Sequence, residues 1–185
     1  RDISWSQYRD RVGAICFGFR ALGIKPGDRV AILGDPCPEW LLAEMGTLAA
    51  GAICYGIYPT SSPAQVASLL AHGGASIAVV RDQESADKIL GLDRAPEALR
   101  RIVVIDPRGM FACDDPRLIT LEEVMKLPRE PGASLEDLVA VLQDSNPALI
   151  VFTSGATGDP KGAVHSHRTL IAGSTVEFVG FDKRV

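Results

Sequence analysis

ALIVFTSGATGDPKGAVHSH, residues 148–167, sets a continuous apolar run against a loop of hydroxyls, glycines and one lysine. Five consecutive apolar residues, 148–152, suit a strand buried on both faces, the pattern of a sheet with helices on each side. The loop behind it exposes backbone N–H groups, and glycine lets them approach a partner with no Cβ in the way. Several such donors converging on one point form an anion site. Gly155 and Gly158 supply the turns, Thr153, Ser154 and Thr157 add hydroxyls, and Lys161 brings a positive point charge that can swing toward a terminal phosphate. Each hydrogen bond to a charged oxygen contributes roughly 1.5–3 kcal/mol, so a handful would hold a nucleotide polyphosphate. The competing reading is an ordinary turn, because loops are built from these same residues. A Walker A loop, GxxxxGK[ST], does not fit: counted from Gly155, Lys161 follows Pro160 instead of glycine and precedes Gly162 instead of a hydroxyl.

Working outward, apolar residues recur at helical spacing over 6–22 (Tyr8, Val12, Ile15, Phe19, Leu22), with Gly23 as the stop. KPGD is a turn and RVAILG a buried strand. Pro38-Glu39-Trp40 opens a second helix and AICYGIY makes a second strand. Ser62, Pro63 and Gln65 form a capping box for a third helix running to about His72. SIAVV and RIVVID read as further strands, and the charged stretch 81–101 between them as solvated helix surface. A Pro/Gly/Asp loop follows, then short helical patterns over 121–127 and 135–143. Strands alternating with helices predict an α/β fold, a layered and mostly parallel sheet flanked by helices, in which ligands gather beyond the carboxyl ends of strands. The glycine-rich loop occupies such a position.

At 185 residues, 46% hydrophobic and 23% charged, the chain suits one folded core. A net charge of −4 and no basic stripe argue against nucleic acid as partner. Cys16, Cys37, Cys54 and Cys113 are scattered without a CxxC pair, which fits free thiols in a reducing, cytoplasmic compartment. Residues 40–58 come nearest to a membrane span, but Gly46, Gly51 and Gly56 divide them into a helix ending near Gly51 and a strand. No signal pattern opens the chain and it lacks a starting Met, as expected of an excised piece.

TSGATGDPKG resembles the signature loop of the adenylate-forming enzymes, [ST]SG[ST]TGxPKG, shared by AMP-forming acyl-CoA ligases, luciferases and peptide-synthetase adenylation domains. ALGIKPGDRVAILGDPCPEW and LAEMGTLAAGAICYGIYPTSSP extend the similarity through most of the chain, and IYPTSSP is closer to the long-chain fatty acyl-CoA ligase branch than to the acetyl or aryl branches. The resemblance implies a partial N-terminal AMP-binding domain spanning 1–185, with its phosphate-binding loop at 153–162. It implies ATP-dependent conversion of a carboxylic acid, through acyl-AMP, to acyl-CoA, with CoA as co-substrate. Carried over by position, Thr153, Ser154, Gly155, Ala156, Thr157, Gly158 and Lys161 contact the phosphates, and Lys161 stabilises the departing pyrophosphate. The resemblance puts the Mg2+ ligand, the adenine, acyl and CoA sites and the C-terminal catalytic lysine beyond residue 185, so the piece alone should not turn over. Self-association through exposed sheet is expected, and a peripheral place at a membrane is compatible with the longer protein.

Ala156 stands where the family has Thr or Ser, removing one hydroxyl contact but keeping the N–H. His165 replaces a usual apolar residue, and His165-x-His167 invites a metal reading that lacks a third ligand. His167 matches a His often present in the family and suits a loop-anchoring role. His72 reads as a helix-end residue, Trp40 as core, and Cys16, Cys37 and Cys54 as buried small hydrophobes. Two other classes remain open: a non-catalytic α/β nucleotide-binding or interaction module, and an aryl- or amino-acid-activating adenylation domain.

Overall fold

The computed structural model describes residues 2–111, 113–153 and 160–173. The chain begins with α1 (Trp5–Ala21), whose N-terminus is closed by a capping box between Ser4 and Gln7. It continues through β1 (Arg29–Leu33), α2 (Pro38–Ala49), β2 (Ile53–Ile57), α3 (Pro63–Gly73), β3 (Ala75–Val80), α4 (Gln83–Leu90) and β4 (Arg101–Val104). Then come β5 (Leu118–Thr120), α5 (Leu121–Met125), α6 (Leu135–Ala140), β6 (Pro147–Thr153) and β7 (Lys161–Ser166), with a helical segment over 167–173. Among the described residues the sheet has the order β5-β4-β3-β1-β2-β6-β7. All neighbours pair in parallel except β6 with β7, which form an antiparallel hairpin at one edge.

Alternate residues feed two cores, because successive side chains on a strand point to opposite faces. Val30, Ile32, Cys54, Ile77, Val79 and Val103 meet α1, α2 and α5 on one face. Ala31, Leu33, Tyr55, Ile57, Ala78, Val80 and Ile102 meet α3 and α4 on the other. This double covering explains why β1 and β3 read as unbroken apolar runs. β6 departs from that reading: near the sheet edge it is covered incompletely, Ala148 is its one buried residue and Val151 is exposed. No helix among the described residues is long and apolar enough to cross a membrane. The doubtful segment 40–58 divides as the glycines predict: α2 stops, Gly51 takes φ +74°, and β2 begins two residues later.

The α3 capping box forms as read, Ser62 accepting from the Gln65 N–H, and Gly74 ends the helix at φ +61°. Two readings change. Only Gln83–Leu90 of the charged stretch is helical, and 91–100 is an irregular connection around Pro96. β5 escapes a sequence reading because it has three residues, too few for a period, and Thr120 both ends it and caps α5.

Candidate functional site

The connection leaving β1 passes through α2 on one face, and the one leaving β2 passes through α3 on the other. Adjacent parallel strands whose connections part in this way leave a crevice at their carboxyl ends, the preferred ligand position in such sheets. A cleft of about 450 Å³ lies there. Its walls are Gly34, Asp35 and Pro36 after β1, Tyr58, Pro59 and Thr60 after β2, Trp40 and Glu44 of α2, and residues 149–152 of β6. Trp40, expected in the core, is half-buried and forms part of this wall.

Two charged side chains from the stretch read as mere surface brace the rim. The Arg81 guanidinium donates to the Asp35 carbonyl at 3.4 Å, and Lys88 Nζ donates to the Pro59 carbonyl while pairing with Glu84 at 3.6 Å. Gly34 permits the turn out of β1: it takes φ +137°, and a Cβ there would lie 2.3 Å from Arg81 Cβ. Periodicity carries no trace of these braces, since each joins a side chain to a distant carbonyl.

Inside the cleft, burial pushes the Glu44 carboxyl above its ordinary value. Burial also raises the Tyr8 phenol and the Cys54 thiol, and the Glu44 charge adds to both shifts. Cys16 and Cys54 are buried as expected, with burial holding the Cys16 thiol at about 11 against a small opposing effect of Arg20. Cys37 departs from expectation: it is half-buried, and its Sγ caps α2 by accepting from the Trp40 N–H at 3.4 Å. All four cysteines are free.

β6 leads from the cleft to the glycine-rich loop and β7 returns from it, with Phe152 opposite Gly162 and Thr153 opposite Lys161 as the last pair. Both members of that pair are exposed, and Thr153 Oγ1 donates to the Lys161 carbonyl at 3.5 Å. Of the predicted phosphate contacts, Thr153 and Lys161 therefore stand together at the carboxyl end of a parallel strand. Ser154, Gly155, Ala156, Thr157 and Gly158 lie outside the described residues.

The other end of the hairpin is tied down. Arg168 makes two 2.9 Å bonds to the Asp144 carboxylate and a 2.7 Å backbone bond to its carbonyl, and the His167 N–H donates to the Asn146 carbonyl at 3.2 Å. The Arg168 guanidinium holds the Asp144 carboxyl below its ordinary value. The His165-x-His167 pairing fails as a shared strand face because β7 ends at Ser166 and residue 167 begins a helical segment. Among the described residues no three His, Cys, Asp or Glu side chains converge as a metal site. His72 lies in the last turn of α3, edge-on to the Phe152 ring at 5.8 Å.

The chain is 35% identical over 171 residues to human long-chain-fatty-acid–CoA ligase ACSBG1, an alignment covering 91% of this chain and 23% of the relative. It is 31% identical over 175 residues to the Drosophila melanogaster long-chain-fatty-acid–CoA ligase heimdall, covering 91% and 25%. The chain thus spans about a quarter of the length of these curated relatives. Among solved structures, the acyl-CoA synthetase of Brucella canis superposes with a TM-score of 0.74 at 22% identity, over 93% of this chain and 29% of that one. The anthranilate CoA ligase AuaEII, solved with anthranoyl-AMP, gives a TM-score of 0.73 at 23% identity, over 91% and 29%. These likenesses fix the fold as that of adenylate-forming acyl-CoA ligases. Residues 1–184 match the family described as AMP-binding enzyme, and with the layered sheet, the switch-point cleft and the loop-bearing hairpin in place, the chain belongs to that family.

Proposed function

We propose that the chain is the N-terminal part of the AMP-binding domain of a long-chain fatty acid–CoA ligase, and that residues 153–162 grip the β- and γ-phosphates of ATP. The observation that carries this reading is the Thr153–Lys161 pair, which closes the hairpin at the carboxyl end of β6 beside the switch-point cleft and brackets SGATGDP. A carboxylate oxygen of the acid attacks the α-phosphorus, and the bond from that phosphorus to the pyrophosphate oxygen breaks. CoA thiolate then attacks the acyl carbonyl and AMP leaves. Charge gathers on the departing pyrophosphate in the first step, and preorganised N–H groups, hydroxyls and the Lys161 ammonium stabilise it there. Thr153 contributes one hydroxyl and Lys161 one point charge.

Mg2+ and CoA belong to this reaction, and the residues that hold them lie elsewhere in a longer polypeptide of the relatives' length. So do the adenine and acyl sites and the second-step lysine, which makes the present chain inactive alone and competent to self-associate through its exposed hairpin edge. A cytoplasmic protein, peripheral to membranes where its substrate partitions, suits this chemistry. ATP–pyrophosphate exchange by the longer ligase, run over long-chain fatty, aryl and amino acids, tests the assignment. Exchange stimulated by long-chain fatty acids is expected. Stimulation by aryl or amino acids alone replaces the substrate class, and no exchange with any acid overturns the reading.

A further inference from the structure

The hairpin that carries the loop joins the rest of the sheet through β6 alone. β1 and β2 pair at five successive positions, whereas β2 and β6 register only at Cys54 with Leu149. Beyond Leu149, residues 150–152 line the cleft, and β6 runs four residues, about 13 Å at strand rise, to Thr153. Aromatic rings bridge this interval. Phe152 lies edge-on to Tyr55 at 5.3 Å and 72°, and edge-on to His72 at 5.8 Å and 82°. Tyr55 is a fixed support: it is fully buried, its hydroxyl donates to the Leu69 carbonyl at 3.2 Å, and it fills the space that a Cβ on Gly73 would need, 2.5 Å away. Across the hairpin, a Cβ on Gly162 would stand 2.9 Å from Ile150 Cγ2 and 3.2 Å from Phe152 Cε1. The Phe152 ring therefore sits in a slot with walls from β2 and α3 and a floor kept open by the glycine beside Lys161.

We propose that Phe152 is a positioning residue, which sets where the Thr153–Lys161 pair stands relative to the parallel sheet by locking its ring against Tyr55 and His72. Phe152 touches no phosphate on this account and acts through its neighbours in the chain. Its effect on turnover rests on the phosphate-loop reading. Its effect on the hairpin does not.

Amide hydrogen exchange of the chain tests the hairpin directly. Phe152→Ala should speed exchange at 149–153 and 161–166 by about tenfold or more while β1 and β3 stay near wild type, because the lost ring contacts anchor only that edge. Phe152→Tyr, which keeps the ring, should restore protection. His72→Ala removes one wall without altering β6 and should give a smaller, equally local effect, and it decides the matter if Phe152→Ala does not fold. Unchanged exchange in the hairpin, or an equal rise across β1 and β3, overturns the proposal. In the longer ligase, Phe152→Ala should raise KM for ATP and slow adenylation by about ten- to a hundredfold, sparing thioester formation from acyl-AMP. Equal loss in both half-reactions refutes a positioning role in catalysis. A wild-type enzyme without pyrophosphate exchange refutes the functional reading instead, and the amide-exchange comparison still decides the role of Phe152.

Discussion

Two buried glycines of α1, one facing α5 and the other α6, should respond to the same substitution with opposite signs. Gly13 and Gly18 both lie buried within α1, and neither has a positive φ. At Gly18 a Cβ would stand 2.2 Å from the Val124 carbonyl oxygen, 2.5 Å from Val124 Cγ1 and 2.9 Å from Val124 C. Heavy atoms in contact settle near 3.5–4.0 Å, so α1 and α5 must separate by about 1 Å, and the obstacle is backbone that no rotamer change can move. Overpacking of this kind costs about 1–3 kcal/mol, and the upper part of that range applies. The gain in helix propensity from Gly to Ala returns about 1 kcal/mol. Gly18→Ala should therefore destabilise by about 1–2 kcal/mol, a fall in Tm of roughly 2–8 °C for a chain of this size. At Gly13 the nearest atoms would be Leu135 Cδ2 at 3.5 Å and Cβ at 3.9 Å, which is ordinary contact. The propensity gain then stands unopposed, and Gly13→Ala should stabilise by about 0.5–1 kcal/mol. Urea unfolding curves and thermal melts of the two variants beside wild type measure both. Shifts of the same sign, or a neutral Gly18→Ala, would refute the packing of α1 on α5 described above.

The thiols give two more tests. A thiol reagent at mildly alkaline pH should label exposed Cys113 first and half-buried Cys37 more slowly, with Cys16 and Cys54 reacting only on unfolding; early labelling of Cys16 would contradict its burial. Because burial raises the Cys16 thiol to about 11 from its ordinary 9.0, its protonated form is the one the fold favours. That contribution is whole below pH 9 and is lost as pH climbs toward 11, so wild type should lose more stability over this interval than Cys16→Ala, as read from urea midpoints. Parallel pH slopes for the two proteins would count against it.

Much of the fold is legible because its signals are local. SIAVV reads as a strand buried on both faces and is one, ALIVF forms a strand although only Ala148 of the run is buried, and the Ser62–Gln65 box marks the start of α3 to the residue. β5 is invisible for the opposite reason: Leu118–Thr120 becomes a strand only because β4 offers it an edge. The site divides along the same line. TSGATGDPKG has a composition that suits an anion loop and an ordinary turn alike, and the pairing of Thr153 with Lys161 across the hairpin is seen only in the structure. What the sequence does not declare is the support around it. Arg81 and Lys88 look like solvated charge until their carbonyl partners at Asp35 and Pro59 are seen. Cys37 looks like a small hydrophobe until its sulfur is found at a helix N-terminus, and His72 acquires its place only when α3 brings it against Phe152. The Cys37 cap is local, joining residues three apart, but cysteine is not a usual capping residue; the others depend on contacts between residues far apart in the chain, to which periodicity and propensity are blind.

The claim on which the functional account turns is that Lys161 acts on the leaving pyrophosphate and not on the thiol step. Its most direct test is Lys161→Ala in the longer ligase, with acyl-adenylate formation followed by pyrophosphate exchange and thioester formation followed separately from preformed acyl-AMP. The account predicts that the first reaction slows by about a hundredfold or more, as for loss of one charge-stabilising donor, while the second stays near wild type. Equal slowing of both, or of neither, would contradict it.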